Sequence, residues 1–119
     1  MTEMQKKMQE LISQEELDRA FDARFPKEMQ VKLRAAKVAV AGIGGLGSNI
    51  AVMLARIGIG HLLLVDFDVV DVTNLNRQII ATRKTVGKYK TDVMKERILE
   101  INPKAEVTMH KCFFLPENA

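Results

Sequence analysis

Gly42-Ile43-Gly44-Gly45-Leu46-Gly47 is a G-x-G-x-x-G run, and it lies between an apolar segment and a segment of helical period. Small residues at that junction let backbone N–H groups approach a phosphate, and the opening of the helix adds partial positive charge. Asp66 follows Gly47 by nineteen residues and closes a second apolar run. A carboxylate there is placed to accept hydrogen bonds from ribose hydroxyls. A plain alternative is that the glycines only make a tight turn and Asp66 only caps a loop. Three glycines and the acid in register favour a nucleotide.

Which nucleotide depends on the cations. A pyrophosphate is nearly handled by a glycine turn alone, whereas a triphosphate undergoing nucleotidyl transfer needs fixed positive charge. The stretch after Asp66 offers it: Asp66-Phe67-Asp68, Asn74-Leu75-Asn76-Arg77-Gln78, then Gly87-Lys88-Tyr89-Lys90.

The elements that position these residues follow from pattern. Val38-Ala39-Val40-Ala41 is a short apolar run, expected as a parallel strand buried on both faces. After Gly47, the residues Ile50, Met53, Leu54 and Ile57 recur at helical spacing, which predicts a crossover helix with that set as its apolar face and Gly58 as its left-handed stop. His61 to Asp66 reads as a second buried strand, so the unit is βαβ and the ligand edge lies at the strands' carboxyl ends. Residues 68–88 lack a steady period and read as an ordered loop with at most a helical turn. Lys90 to Ile101 returns to helical period, with Met94, Ile98 and Ile101 on one face and Asn102-Pro103 as the stop. Val107, Met109 and Phe113 mark a third strand with the polar alternation of a sheet edge.

Residues 1–35 are charged and free of glycine. Ser13 with Glu16 is a capping-box signature for a helix running to about Phe25, and Pro26 opens another through Leu33. The expected organisation is therefore an N-terminal helical arm, 1–35, and a Rossmann-like α/β domain with a parallel sheet, 36–119. The sheet reads as incomplete, since a further helix and strand would be expected just where the sequence stops at Ala119.

Composition narrows the classes. The 119 residues are 47% hydrophobic and 28% charged, with net charge +3, one Tyr and no Trp. That is the balance of a soluble domain, and the spread of the basic residues gives little reason to propose nucleic-acid binding from composition alone. The single cysteine, Cys112, has no partner for an internal disulfide and reads as a small half-buried residue. The apolar run from Ile57 to Val65, interrupted by Gly58, Gly60 and His61, is too short to span a bilayer. A reducing cytoplasm is the expected compartment. His61 and His110 have no second ligand at metal spacing, so no metal site is expected from the residues of this chain.

The glycine turn, D-x-D, N-x-x-R-Q, the lysine opening the next helix and Ile101-Asn102-Pro103 together resemble the ubiquitin-activating-like ThiF/MoeB/HesA superfamily, from about Lys37 to Asn102. The resemblance implies ATP-dependent adenylation of a carboxylate, with ATP and Mg²⁺ as cofactors. It places Gly42, Gly44, Gly45, Leu46 and Gly47 at the nucleotide, Asp66 on the ribose, Asn74 and Arg77 on the phosphates with Gln78 nearby, and Lys90 at the reacting centre. Arg77 and Lys90 are then the catalytic cations. Asp68 could hold a metal or a ribose, or simply brace its loop; Arg83 and Lys88 read as solvated charges.

Within the superfamily two acceptors compete. Gly47 to Val52 and Asp66 to Asp68 resemble enzymes that adenylate the C-terminal glycine of a small ubiquitin-like sulfur-carrier protein for thiamine synthesis, the reading slightly preferred. Residues 79–87 and the tail 114–118 look more like the tRNA threonylcarbamoyladenosine dehydratases, for which Lys84, Lys88, Lys104 and Lys111 would offer basic surface. A homodimer is expected, with Arg19 or Arg24 as possible arginines acting across it. The magnesium-binding aspartate of the family pattern would lie beyond residue 119. Readings from other classes are an NAD-dependent oxidoreductase, which leaves Arg77 and Lys90 without a task, and a non-catalytic nucleotide-binding fragment.

Overall fold

The computed structural model describes residues 1–23 and 25–112, apart from the side chains of Gln14, Phe21 and Asp22. The expectations for Arg24, Phe113 and residues 114–118 lie outside them.

Three helices come first: α1 (Glu3–Leu11), α2 (Gln14–Asp22) and α3 (Lys27–Ala35). Ser13 caps α2 as expected, its hydroxyl accepting from the Glu16 N–H at 3.2 Å. That helix stops at Asp22 instead of Phe25, because a residue before proline is pushed out of the helical region and Pro26 sits at the N-cap of α3. No residue of α1 or α3 is fully buried, although Leu33 packs against the core. The arm is held by backbone stitches: the Gly60 N–H donates to the Leu33 carbonyl at 3.1 Å and the His61 N–H to that of Ala36 at 3.2 Å. A 2.7 Å ion pair joins Lys104 to Asp18.

The remainder alternates strand and helix: β1 (Lys37–Ala41), α4 (Gly45–Arg56), β2 (His61–Val65), a 3-10 turn (Val72–Asn76), α5 (Lys90–Ile101) and β3 (Glu106–His110). The strands are parallel in the order β1-β2-β3, which is the Rossmann-like α/β arrangement expected. The loop after β2 contains one short helical turn, and α5 runs over the residues its period predicted.

Two expectations are corrected. Among the described residues strand β1 is covered on one face: Val40 is buried while Ala39 and Ala41 are exposed. In register, Val38, Leu62 and Val107 share a face with Val40, Leu64 and Met109. That face meets Ala51, Val52 and Ala55 of α4 and Val93, Met94 and Ile98 of α5 in one core cluster. Two successive crossovers of the same hand, stepping the same way across the sheet, put both helices on the same side. The opposite face, with Ala39, Leu63 and Thr108 at its middle, is left open among the described residues.

The second correction concerns α4. Its buried residues are Ser48, Ala51, Val52 and Ala55, whereas Ile50 is 40% and Met53 65% exposed. Small side chains at spacing three and four let the helix axis approach the sheet closely, so Ile50 and Met53 are turned outward, while Leu54 and Ile57 pack half-buried against the core as expected. The helix also begins at Gly45, inside the glycine run, instead of after Gly47. Gly58 ends it with φ +93, the left-handed stop expected.

Candidate nucleotide site

The glycine run joins the carboxyl end of β1 to the first turn of α4, with Gly42 at φ +91 and Gly44 as the N-cap. Gly47 has a steric reason to be glycine: a Cβ there would lie 1.7 Å from the Gly42 carbonyl oxygen. The Gly42 N–H donates to the Val65 carbonyl at 2.8 Å, and the fully buried Ser48 hydroxyl donates to the Gly44 carbonyl. The turn is thus fixed from both ends.

Asp66 braces this turn. Its Oδ2 accepts from the Ile43 N–H at 2.5 Å and its Oδ1 from the Asp68 N–H at 2.8 Å. A carboxylate has about four acceptor positions, so both oxygens keep a lone pair for a further donor. Asp68 stands beside Lys90, with 3.8 Å between Oδ2 and Nζ, and its carbonyl accepts from the Lys90 N–H at 3.0 Å.

Lys90 departs from ordinary lysine behaviour. It opens α5 and is only 6% exposed, whereas Arg83 and Lys88 are the exposed charges expected. A cation in the first turn of a helix faces the positive end of the helix dipole and gains nothing from it. Together Gly42, Gly44, Asp66, Asp68 and Lys90 line one mouth at the carboxyl ends of the strands, with Cys112 at its rim. Gly44, Leu46 and Gly47 line the neighbouring groove along β1 and α4. Gly45 faces open space, with nothing within 4 Å of where its Cβ would be.

The N-x-x-R-Q residues follow the 3-10 turn. Asp71 and Asn74 cap each other there: the Asp71 N–H donates to Asn74 Oδ1 at 2.8 Å, and the Thr73 N–H and hydroxyl donate to Asp71 Oδ2 at 3.1 and 2.6 Å. Asn74 is buried as a result. Gln78 is 8% exposed; its Nε2 lies 3.9 Å from the place a Gly44 Cβ would take, and its Oε1 is buried with no hydrogen bond. Arg77 is exposed and bonds locally, to the Thr73 carbonyl at 2.9 Å and Asn76 Oδ1 at 3.1 Å. The structure therefore brings the glycines, both aspartates and Lys90 together, sets Gln78 against Gly44, and leaves Arg77 outside the mouth.

Thr73 holds the Asp71 carboxyl below its ordinary value, first through the hydroxyl and then through the amide. A depressed carboxylate stabilises the fold at pH above its unfolded pKa, and that contribution is lost as pH falls through the folded value. Replacing Thr73 with Val should return the Asp71 pKa toward that of a free aspartate. Carboxyl-carbon NMR titration of both proteins reads the shift.

Sequence reasoning missed four features of this region. These are the burial of Lys90, the unpaired Oε1 of Gln78, the placement of Cys112 at the rim, and a contact of Lys111 with Tyr89, whose ring centroid lies 4.5 Å from Nζ. Only the Asp71–Asn74 spacing carried a local signal, that of reciprocal capping. His61 pairs with Glu106 at 3.0 Å at the other end of the sheet, and no group of three metal-binding side chains occurs among the described residues. No described helix is long and apolar enough to cross a membrane.

Residues 17–119 match the ThiF family. The chain belongs to that family. The tRNA threonylcarbamoyladenosine dehydratase of Bacillus subtilis (strain 168) is 52% identical over 91 residues, which are 76% of this chain and 36% of that protein. Its counterpart from Escherichia coli (strain K12) is 50% identical over 97 residues, 81% of this chain and 36% of that protein. The adenylyltransferase and sulfurtransferase MOCS3 of Culex quinquefasciatus is 41% identical over 90 residues, 76% of this chain and 20% of that protein. This ThiF-family chain thus spans about a third, 36%, of the dehydratases it matches. The solved structure of the E. coli dehydratase TcdA in complex with ATP superposes with TM-score 0.82 at 43% identity, covering 91% of this chain and 45% of that one. E. coli MccB superposes at 0.71 and 38% identity, covering 75% and 26%.

Proposed function

We propose that this ThiF-family chain binds ATP at the glycine mouth and takes part in adenylating a carboxylate, and that the carboxylate is that of a threonylcarbamoyladenosine base in tRNA. The observation that carries the nucleotide half is the buried Lys90 ammonium, which shares one mouth with Gly42, Gly44 and Asp66. Backbone N–H groups of the turn and the start of α4 suit phosphate oxygens, and Asp66 keeps acceptor capacity for ribose hydroxyls. Likeness to a dehydratase structure holding ATP supports the same reading.

In the reaction a carboxylate oxygen forms a bond to the α-phosphorus while the bond to the bridging oxygen breaks, and pyrophosphate departs with that electron pair. Lys90 offsets charge as it moves onto the leaving oxygens, and the glycine turn holds the phosphate chain in line. Gln78 sets its Nε2 beside Gly44, and its buried Oε1 is an acceptor without a hydrogen bond, so a ligand that draws the amide round would find both a donor and an acceptor there. Arg77 joins the phosphates in this reading by releasing its two local bonds. The Mg²⁺ implied by the resemblance finds Asp68 as one carboxylate here and no protein cage among the described residues.

The tRNA acceptor rests on the 50 to 52% identity to dehydratases against 41 to 43% to adenylyltransferase–sulfurtransferases. The lysines named for it do not form a single patch: Lys104 and Lys111 stand at opposite ends of β3, each in an ion pair. A sulfur-carrier acceptor of the thiamine type, favoured by the segments at Gly47 and Asp66, remains the second reading. A homodimer, a cytoplasmic location and a boundary between arm and domain at residues 35 and 36 belong to the same proposal.

Calorimetry with ATP and with NAD, followed by pyrophosphate exchange with modified tRNA or with carrier protein added, tests it. ATP binding that weakens about tenfold in Arg77→Ala, with exchange stimulated by tRNA, is the expected result. Preference for NAD would overturn the nucleotide reading, and stimulation by carrier protein alone would transfer the acceptor.

A further inference from the structure

The N-cap of α5, Tyr89, makes no side-chain cap hydrogen bond, so the helix that carries Lys90 has no local fastening at its start. Its fastening is tertiary. The segment 68–70 pairs with 87–90: Val70 and Lys88 join through an N–H to carbonyl bond of 2.8 Å, Gly87 and Val70 through another of 2.8 Å, and Val69 bridges Tyr89. From the far side comes Lys111, the residue after β3. Its Nζ lies 4.5 Å from the Tyr89 ring centroid and 3.1 Å from Asp92 Oδ2 in the first turn of α5.

We propose that Tyr89, Lys111 and Asp92 form a clasp between the end of β3 and the start of α5, and that this clasp positions Lys90 for the phosphates. The proposal rests on the ATP reading above. A cation held between a ring face and a carboxylate ties the residue after β3 to the first turn of α5. Lys90 is the residue next to Tyr89, and its ammonium has to be presented over the mouth from a helix terminus whose dipole does not favour it. Tyr89, Lys111 and Asp92 are positioning residues: none lines the mouth.

The test is the ratio of ATP to adenosine affinity by calorimetry. Adenosine shares the ribose contacts and lacks the phosphates that Lys90 would meet. Tyr89→Ala and Lys111→Met are each expected to weaken ATP about three- to tenfold and adenosine less than about twofold. Tyr89→Phe and Lys111→Arg should keep the wild-type ratio, since ring and cation persist. Tyr89→Ala alters no charge, so a fall in ATP affinity there is not explained by a direct phosphate contact of Lys111. An unchanged ratio in either loss variant, equal weakening of both ligands, or an effect confined to Lys111→Met overturns the clasp. Failure of the wild type to bind ATP overturns the ATP reading and the clasp with it. Should Tyr89→Ala not fold, Asp92→Asn takes its place: it removes the other anchor of Lys111 and a negative charge, so a fall in ATP affinity there is again not explained by a direct phosphate contact, and an unchanged or higher affinity overturns the clasp.

Discussion

Gly47→Ala is expected to cost the fold at least about 3 kcal/mol, a large share of a small domain's stability. The added methyl would stand 1.7 Å from the Gly42 carbonyl oxygen and 2.9 Å from its carbon, so backbone and not a flexible side chain would have to yield. Yielding means moving the turn that Asp66 braces through the Ile43 N–H and that Ser48 holds through the Gly44 carbonyl. Gly45→Ala is the matched control two residues away in the same run, with nothing within 4 Å of its new Cβ. There alanine's better helix propensity should leave stability unchanged or raise it by up to about 1 kcal/mol. Urea midpoints for the two variants decide the matter. Similar midpoints would show that the glycine turn is looser than the close approach implies.

Lys90→Met should weaken ATP binding about ten- to a hundredfold while leaving the unfolding midpoint unchanged or higher. The loss is that of charge-assisted hydrogen bonds to phosphate, about 1.5 to 3 kcal/mol. The gain in stability follows from where the side chain sits: 7% exposed, at the unfavourable end of α5, with one half-exposed carboxylate at 3.8 Å. Methionine keeps the stem's packing and removes the desolvated charge. Opposite movements of affinity and stability are the mark of a residue placed for a ligand. Calorimetry with ATP and a thermal melt on the same preparation read both. A variant that unfolds earlier and binds ATP as before would make Lys90 a structural lysine paired to Asp68.

The elements that were legible in the sequence are those whose signal is local. Helix α5 shows its period from Lys90 and its stop at Asn102-Pro103, and β2 is a compact apolar run that ends on Asp66. Glycine spacing gave the turn, and Gly58 gave the end of α4. Helix α4 was misread in its inward face because two stripes share one helix. Leu54 and Ile57 pack against the core as expected, but Ile50 and Met53 outweigh Ala51 and Ala55 in hydrophobicity and stand exposed, because the tighter helix-to-sheet contact comes from the smaller pair. Strand β1 was misread for a related reason: an apolar run states that a strand is compatible with burial, not which faces find a covering layer.

The sequence by itself determined the order of strand, turn, helix and strand, the place of the glycine turn and the family to which the chain belongs. Those depend on residue type at short spacing, where sterics and periodicity act between neighbours. Only the tertiary structure decided which titratable groups meet. Asp66 reaches back 23 residues to the Ile43 N–H, Lys90 is drawn under cover beside Asp68, and Lys111, just after β3, closes on Tyr89 at the start of α5. Such pairings depend on the sheet order and on both crossovers falling on one side, and no local pattern in the chain encodes the distance between groups that the fold brings together.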